Sequence, residues 1–387
     1  MQGTSIYVGV NGSGKSYTLG SIASKALEDG KPVVAISMSL NDKFPRKKKG
    51  SQYQFMGAKQ GRTLYDLAIE KAIVACNRVN KPVQVNSLLN ILKYAGYEET
   101  IGFNVKGFNW SFEDLFKSDL ALNKLNEEKR EILFSICLAY RRIHNESSDE
   151  NVHWITRYSK FGSYSAVDID SRYGEVPTGE ILSELLHYQK DLKKLRIIQS
   201  VKVFFKKALA DQMYIGTNAM SSGELSLIAT AFFLNFSMVD GTVLLIDEPE
   251  NSLHPDWQLG YLSRLKDLFP YTNFECHIAT HSPMIVSGAQ KEEFIKIYKY
   301  DEGSFKQIST KSSNIEDALI DQFGIVTPKN NALSERCIDL INNVINQNLT
   351  QKSALEMLDI YKEASYERQQ VEFLEGVKKI INEVGRT

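Results

Sequence analysis

The segment from Gly9 to Ser16, GVNGSGKS, is the feature that most restricts what this chain can fold into. It matches the pattern G-x-x-x-x-G-K-[ST], which belongs between a strand and a helix. The apolar run SIYV at 5–8 supplies the strand, and residues 16–29 are expected to form the helix. A second apolar run at 32–37, PVVAIS, completes a strand–helix–strand unit. The sequence therefore predicts an α/β fold with a mainly parallel central sheet.

This segment has the residue types that hold a polyphosphate. Its glycines let backbone N–H groups turn toward phosphate oxygens, and the positive end of the following helix points at the same atoms. Lys15 is expected to bring a positive charge to the β- and γ-phosphates, and Ser16 to offer a hydroxyl ligand to Mg²⁺. We therefore predict nucleotide binding. The predicted binding residues are Asn11, Gly12, Ser13, Gly14, Lys15, Ser16 and Tyr17.

Acidic residues follow a second apolar run, TVLLI. Ligands of open parallel sheets collect beyond the carboxyl ends of the strands, so Asp247 is a candidate ligand for Mg²⁺. Glu248 is a candidate to orient or deprotonate water. The alternative is a strand that simply ends in acidic turn residues. His281 follows the next predicted strand, FECHIAT, and is placed to touch a γ-phosphate, although a lone histidine after a strand is usually structural.

Ser221, Ser222, Gly223 and Glu224 open another apolar helix, about twenty residues before Asp247. Serine followed by glycine at a helix start is often only an N-cap. A second interpretation is that this helix start also binds phosphate. The residues alone leave both interpretations open.

Composition limits the classes of partner. The chain has 387 residues and a net charge of −1, so it lacks the overall basic field of a nucleic-acid-binding protein. The densest basic cluster consists of Lys43, Arg46, Lys47, Lys48 and Lys49. It is either a solvated loop or a local contact to nucleic acid phosphates.

Four scattered cysteines without a CxxC pattern argue against a zinc ribbon or a disulfide scaffold. No apolar run approaches about 20 residues and no signal-peptide pattern opens the chain, so a cytoplasmic protein without a membrane partner is expected.

Taken in order, these four elements resemble the ABC-type ATPase superfamily. GVNGSGKS is similar to its Walker A loop, SSGE to its signature motif, LLIDEP to Walker B with the catalytic glutamate, and ATHSP to the switch-histidine loop. The run DEPENSLHP at 247–255 resembles the SMC, RecF and OLD-like branch, including the stand-alone ATPases of bacterial anti-phage systems of the Septu and retron-associated types. The resemblance covers residues 1–60 and 211–300.

This resemblance implies a mechanism shared between two copies, in which two heads enclose two ATP molecules. Lys15, Glu248 and His281 would be catalytic, with Ser16 and Asp247 holding Mg²⁺. The signature residues Ser221, Ser222, Gly223 and Glu224 would cover the ATP of the partner copy. The sequence departs from the family in having SSGE rather than LSGGQ and no evident aromatic for adenine. The lid-loop glutamine stays open among Gln52, Gln54 and Gln60.

The expected organisation is an ATPase head over 1–300 with a helical insertion at about 62–210, followed by a C-terminal hairpin and helical extension over 301–387. The insertion is expected to end in one amphipathic helix over 180–210, about eight turns long.

The favoured hypothesis is an ATP-hydrolysing switch that forms a homodimer or higher homo-oligomer and regulates a separate effector, a nuclease, in anti-phage defence. A separate effector is expected because no DxD triplet of a nuclease follows the ATPase elements; the one in the chain is Asp168-Ile169-Asp170. Two alternatives stay open: the nucleotide-binding subunit of an ABC transporter, and a nucleotide-binding scaffold that scarcely turns over.

Overall fold

The structure is a computed structural model. It describes residues 3–39, 41–45, 52–57, 62–78, 82–118, 125–146, 152–156, 178–208, 214–251, 253–269, 272–290, 292, 295–308, 316, 319–323, 331–365 and 368–384. In these ranges the strands are β1 (Gly3–Val8), β2 (Val33–Ser37), β3 (Tyr53–Gly57), β4 (Tyr97–Lys106), β5 (His153–Ile155), β6 (Ser200–Lys207), β7 (Tyr214–Gly216), β8 (Thr242–Asp247), β9 (Phe274–Thr280), β10 (Ile295–Asp301) and β11 (Ser304–Ile308).

The α-helices of the same ranges are α1 (Lys15–Glu28), α2 (Arg62–Arg78), α3 (Pro82–Tyr94), α4 (Phe112–Ser118), α5 (Glu127–Glu146), α6 (Thr178–His187), α7 (Gln189–Lys194), α8 (Ser222–Ser237), α9 (Pro255–Leu259), α10 (Tyr261–Leu268), α11 (Pro283–Ala289), α12 (Asn331–Ile345), α13 (Gln351–Glu363) and α14 (Arg368–Val384). A 3₁₀ turn at Thr217–Ala219 and a π turn at Leu319–Phe323 complete the regular elements. None of the helices in the described part of the chain has the length and apolar character needed to cross a bilayer.

The chain divides into two compact units, and the first comprises 1–57 and 239–387. Its sheet has the order β11-β10-β1-β9-β8-β2-β3, with every neighbouring pair parallel except β10 and β11. The predicted α/β fold with a mainly parallel sheet is confirmed. β2 and β8 are buried along their whole length, which explains why their sequences are almost continuously apolar.

The order of this sheet decides where its loops meet. β9 lies between β1 and β8 and runs parallel to both. The carboxyl ends of these three strands therefore open on the same edge, which gathers the loop after β1, the acidic turn after β8 and the residues after β9. α1 covers one face of the sheet with Leu19 and Ala23, packed against Leu245 and its buried neighbours.

A hairpin is formed by β10 and β11, and it begins at Ile295, before the expected boundary at residue 301. It lies at the edge of the main sheet, where β10 pairs with β1. The C-terminal helices α12 to α14 pack around a core of their own. Leu333, Leu340, Leu374 and Ile381 contribute to that core.

The second unit comprises residues 58–238 and contains an antiparallel sheet of order β5-β4-β6-β7. One face of this sheet is buried, with Ile101, Phe103, Val203 and Phe205 pointing into the unit. Phe205 meets Phe232 of α8 edge-on at 6.5 Å, so α8 packs against this face.

The prediction of one amphipathic helix over 180–210 is wrong. The helical part ends with α7, and Arg196 adopts a left-handed backbone with φ of 56° before the chain continues as β6. In β6, Val203 and Phe205 are buried, while Lys202, Phe204 and Lys206 alternate with them on the other side, which suits a strand that is buried on one side. Its partner β4 was not predicted, and it lies about a hundred residues away in sequence.

Candidate functional site

The phosphate-binding loop, residues 9–16, follows β1 directly and ends in the first residues of α1. Gly12 and Gly14 have φ of 86° and 84°, in the left-handed region where glycine is strongly favoured. Gly14 is the N-cap of α1 and no side chain caps the helix. The backbone N–H groups at this helix start therefore face a ligand site without a competing side-chain acceptor.

Lys15 lies inside this loop. Its side chain is almost fully buried, and Nζ donates to the carbonyl oxygens of Gly9 at 2.8 Å and Val10 at 3.2 Å. Burial lowers the pKa of Lys15, while Glu248 and two neighbouring carboxylates oppose the shift with their negative charges. The ammonium group is thus held at the loop by weak carbonyl acceptors, which phosphate oxygens can replace.

The other predicted loop residues divide into buried and exposed ones. The Ser13 hydroxyl is buried and has no hydrogen-bond partner among the described residues. An orphaned buried hydroxyl in a loop of this shape fits a phosphate acceptor. Asn11 and Tyr17 are exposed, with Tyr17 at 73%.

Ser16 and Asp247 are brought together. The Ser16 hydroxyl donates to Asp247 Oδ1 at 3.0 Å, and the Ser37 hydroxyl donates to Oδ2 at 3.3 Å. Burial raises the pKa of Asp247 to about 6, against the opposing effect of these two hydrogen bonds. A hydroxyl and a carboxylate at this separation are hard oxygen ligands of the kind that Mg²⁺ takes, so the residues fit the predicted metal.

Glu248 is held in an uncommon backbone conformation. Its φ is 53°, in the left-handed region, and its N–H donates to the carbonyl oxygen of Ala279 at 2.8 Å. Non-glycine residues in this region cost free energy and cluster at functional sites. Asn251 Nδ2 lies 3.4 Å from Glu248 Oε2 and also donates to the carbonyl oxygen of Met38 at 3.2 Å. The carboxylate is therefore oriented from two sides, by its backbone and by Asn251.

His281 lies beside Glu248, as the order of the strands requires. Its Nδ1 is 3.4 Å from Glu248 Oε1 and 3.1 Å from Glu250 Oε1, and its side chain is 44% exposed. The three predicted catalytic residues, Lys15, Glu248 and His281, thus share one edge of the sheet. Their catalytic roles stay predictions.

Glu250 is a site residue that the sequence reasoning missed. Its Oε1 accepts from the Thr280 hydroxyl at 2.7 Å and from the His281 backbone N–H at 2.6 Å, and the side chain is nearly fully buried. Burial raises the pKa of Glu250, while these hydrogen bonds oppose the shift. Glu250 therefore ties the turn after β8 to the residues after β9. The signal that could have found it is the second glutamate of DEPE, a third acidic residue shortly after the apolar strand.

The signature residues lie in the second unit, at the start of α8. Ser221 is the N-cap and forms a capping box with Glu224, whose carboxylate also accepts from Lys207 at 3.0 Å. Burial acts to raise the pKa of Glu224, but the hydrogen bonds from Ser221 and Lys207 outweigh it and leave that pKa below its ordinary value. Ser222 is exposed and Gly223 is half-buried, so the open end of α8 presents N–H groups at the surface of its unit.

Two further predictions fall partly on residues that lie outside the described ranges. Of the basic cluster, Lys43 is described and exposed, whereas residues 46–49 are outside. Of the lid-loop candidates, Gln52 and Gln54 are described, the latter in β3, and Gln60 is outside.

The chain is similar to several known proteins. Residues 109–287, less than half of the chain, match the family described as "AAA domain, putative AbiEii toxin, Type IV TA system". Retron Vc95 probable ATPase from Vibrio cholerae is 33% identical over 115 residues, which is 26% of this chain and 22% of that protein. Septu protein PtuA from Bacillus mycoides is 32% identical over 108 residues, which is 26% of this chain and 15% of that protein.

The similarity to SMC/OLD-like ATPases of anti-phage systems is confirmed, at low identity. Protein ea59 of Escherichia phage lambda is also similar, with 29% identity over 120 residues, or 31% of this chain and 23% of that protein. The matched regions thus span less than a quarter of each relative. Among solved structures, the Smc head domain from Pyrococcus furiosus gives 13% identity over 80% of this chain and 90% of that chain, with a TM-score of only 0.29.

Proposed function

We propose that this protein is an ATP-hydrolysing switch whose heads dimerise around ATP and Mg²⁺ and regulate a separate effector protein. The observation that carries the proposal is the hydrogen bond of 3.0 Å between Ser16 and Asp247. It joins the end of the phosphate-binding loop to the acidic turn after β8, which are 231 residues apart in sequence. Burying the Asp247 carboxylate is costly in free energy unless something compensates its charge. A bound Mg²⁺–triphosphate would provide that compensation, which favours a binding role over a purely structural one.

Each residue of the edge has a chemical task in this proposal. Lys15 and the N–H groups at the start of α1 bind the β- and γ-phosphates, while Ser16 and Asp247 would hold Mg²⁺, which supplies charge neutralisation on the phosphates when bound. Glu248 orients the attacking water and accepts its proton. His281, within 3.4 Å of Glu248, contacts the γ-phosphate and reports its presence to the same carboxylate.

The second half of the proposal is that the ATP site is completed by another copy. The open start of α8 supports this, because the exposed Ser222 and the half-buried Gly223 present N–H groups at the positive end of a 16-residue helix. ATP then favours the dimer over separate chains, and hydrolysis releases it, as expected for a ligand with different affinities for two states.

An effector and a role in anti-phage defence are proposed from the names of the relatives, a retron ATPase and a Septu protein. The effector is proposed to be a nuclease on a separate chain.

The variant Glu248→Gln tests the hydrolytic mechanism. It keeps the shape of the side chain but cannot accept the proton, so we expect ATP binding to persist, turnover to fall by about 100-fold or more, and a dimer to accumulate with ATP. Turnover is measured by phosphate release, and mass by light scattering during size-exclusion chromatography. Wild-type turnover in this variant would remove Glu248 from the mechanism.

Mixing two inactive variants tests whether the site is shared between copies. Lys15→Ala removes phosphate binding in its own loop, and Ser222→Arg blocks the start of its own α8. In a shared site, a mixed dimer contains one intact pocket, so the mixture regains part of the wild-type turnover. Each variant alone serves as the control. A mixture as inactive as its components would contradict the shared pocket and leave hydrolysis within one chain.

A further inference from the structure

The antiparallel sheet of the second unit has an outer face opposite its buried one. Strand residues alternate between the two faces, and the register places Trp154 opposite Gly102, Gly102 opposite Phe204, and Lys206 opposite Tyr214. The lysines and aromatic residues on this outer side are here called the lysine–aromatic face. They are Lys106, Trp154, Lys202, Phe204, Lys206 and Tyr214.

The aromatic rings of this face form one contiguous cluster outside the core. Tyr214 meets Trp154 at 5.9 Å and Phe204 at 5.5 Å, in both cases nearly edge-on, and Tyr214 is 49% exposed. The Trp154 ring lies over Gly102, where a β-carbon would come within 2.7 Å of it. Glycine at 102 therefore lets a large ring lie flat on an outer sheet surface.

Lysines border these rings. Lys206 Nζ is 4.4 Å from the centre of the Trp154 ring, a cation–π distance, and Lys106 and Lys202 are exposed. Two carboxylates, Glu98 and Glu99, lie at the start of β4, and Glu98 is exposed; from Gly102 onward in β4, and along the described part of β6, the outward positions carry no Asp or Glu. Asp66 and Glu70 line a cavity of about 370 Å³ together with Lys202 and so bound the face on that side.

We propose that the lysine–aromatic face binds single-stranded nucleic acid. The exposed Tyr214 ring beside the half-buried rings of Trp154 and Phe204 can stack unpaired bases, while the ammonium groups of the lysines neutralise phosphates. A duplex hides the faces of its bases, so it can use the lysines but not the rings. An apolar protein partner would leave three ammonium groups to be desolvated without acceptors. This proposal is independent of ATP hydrolysis, because none of its residues belongs to the phosphate-binding loop.

The test is fluorescence anisotropy with a labelled oligothymidylate of about 16 nucleotides and with a duplex of equal length, on the full chain. We expect the single strand to bind more tightly than the duplex. Loss of one stacking ring in Tyr214→Ala should weaken binding by about tenfold. The double change Lys202→Glu and Lys206→Glu should reduce the slope of log affinity against log salt by at least about 1.4, between about 50 and 200 mM salt.

Matched controls are Tyr94→Ala and Lys194→Glu, exposed residues of the same types in the same unit but outside this face. Both should bind as the wild type does. Trp154→Phe keeps a stacking ring, so it should retain binding while losing the oligonucleotide-dependent quenching of tryptophan fluorescence. Lys15→Ala should bind the oligonucleotide normally, which separates this proposal from the ATPase one.

Three results would overturn the proposal. The first is no oligonucleotide binding by the wild-type chain. The second is equal affinity for duplex and single strand. The third is wild-type affinity and salt dependence in both the Tyr214→Ala and the double lysine variants, with circular dichroism showing that they are folded.

Discussion

Replacing Glu250 is the sharpest test of how the catalytic edge is held together. Glu250 Oε1 accepts two short hydrogen bonds, from the Thr280 hydroxyl and the His281 N–H, and its side chain is nearly fully buried. Hydrogen bonds to a buried charged group contribute about 1.5–3 kcal/mol each, so removing both costs about 3–6 kcal/mol. Part of this is offset, because the raised pKa of Glu250 means that burying its charge is itself unfavourable. We therefore expect Glu250→Ala to lower the free energy of unfolding by about 2–4 kcal/mol.

Glu250→Gln separates geometry from charge. The amide keeps an acceptor oxygen at the same place, so Thr280 and His281 stay hydrogen-bonded and the loss in the free energy of unfolding should be only about 1 kcal/mol. Since His281 is then still fixed near Glu248, turnover should also be largely retained. In Glu250→Ala the imidazole loses its anchor, and kcat should fall by about 10–100-fold with little change in the KM for ATP.

The assays are urea unfolding and steady-state ATP hydrolysis. Glu292→Ala is the matched control, because Glu292 pairs with Lys266 at 2.7 Å on the surface of the same unit and its loss should cost at most about 1 kcal/mol. Wild-type kcat in Glu250→Ala would refute the positioning role. A glutamine variant as impaired as the alanine one would show that charge, rather than the hydrogen-bond geometry, matters.

Three other outcomes are expected. Lys15→Ala should abolish ATP binding in calorimetry, and unchanged affinity would contradict the assignment of the loop. Burial and the charge of His144 lower the pKa of His153 to about 4. The unfolded chain therefore takes up a proton on His153 first, and the free energy of unfolding falls as pH drops from about 6.5 toward 4. His153→Phe removes this loss, so in urea unfolding it should gain about 1–2 kcal/mol of stability relative to the wild type at pH 5 compared with pH 7.5. Gly288→Ala should cost about 1–3 kcal/mol, because its β-carbon would meet the backbone oxygen of Leu259, whereas Gly376→Ala, with open space around it, should be neutral or slightly stabilising in the same assay.

The parts of the site that could be predicted are the local ones. The phosphate-binding loop and the acidic turn after β8 each consist of a buried strand followed by a few polar residues, and such a pattern is complete within about fifteen residues of sequence. Because β1, β8 and β9 are parallel neighbours, the pattern also places their following residues on one edge. The structure places Ser16, Asp247, Glu248 and His281 on this edge, whereas their roles stay predictions.

The parts that were missed depend on distant partners. β6 was predicted as helix because its leucine-rich approach has helical spacing, and only pairing with β4 makes it a strand. Glu250 was overlooked because its role comes from donors on β9 and beyond, about thirty residues later. Neither relation can be read from the periodicity of a single segment.

β6 contributes neighbouring lysines to two different parts of the second unit, the lysine–aromatic face and the start of α8. Lys206 and Lys207 are consecutive, so their side chains emerge on opposite sides: the first lies over Trp154, and the second holds Glu224 at the start of α8. A polyanion that draws Lys206 outward would therefore pull on the backbone that positions Lys207. Lys207 Nζ also lies 5.5 Å from the centre of the Tyr97 ring, so its position depends both on the interior of the unit and on Glu224, which caps α8 with Ser221. The β-strand β6 thus connects the lysine–aromatic face to the start of α8, where the triphosphate of a neighbouring copy is proposed to bind.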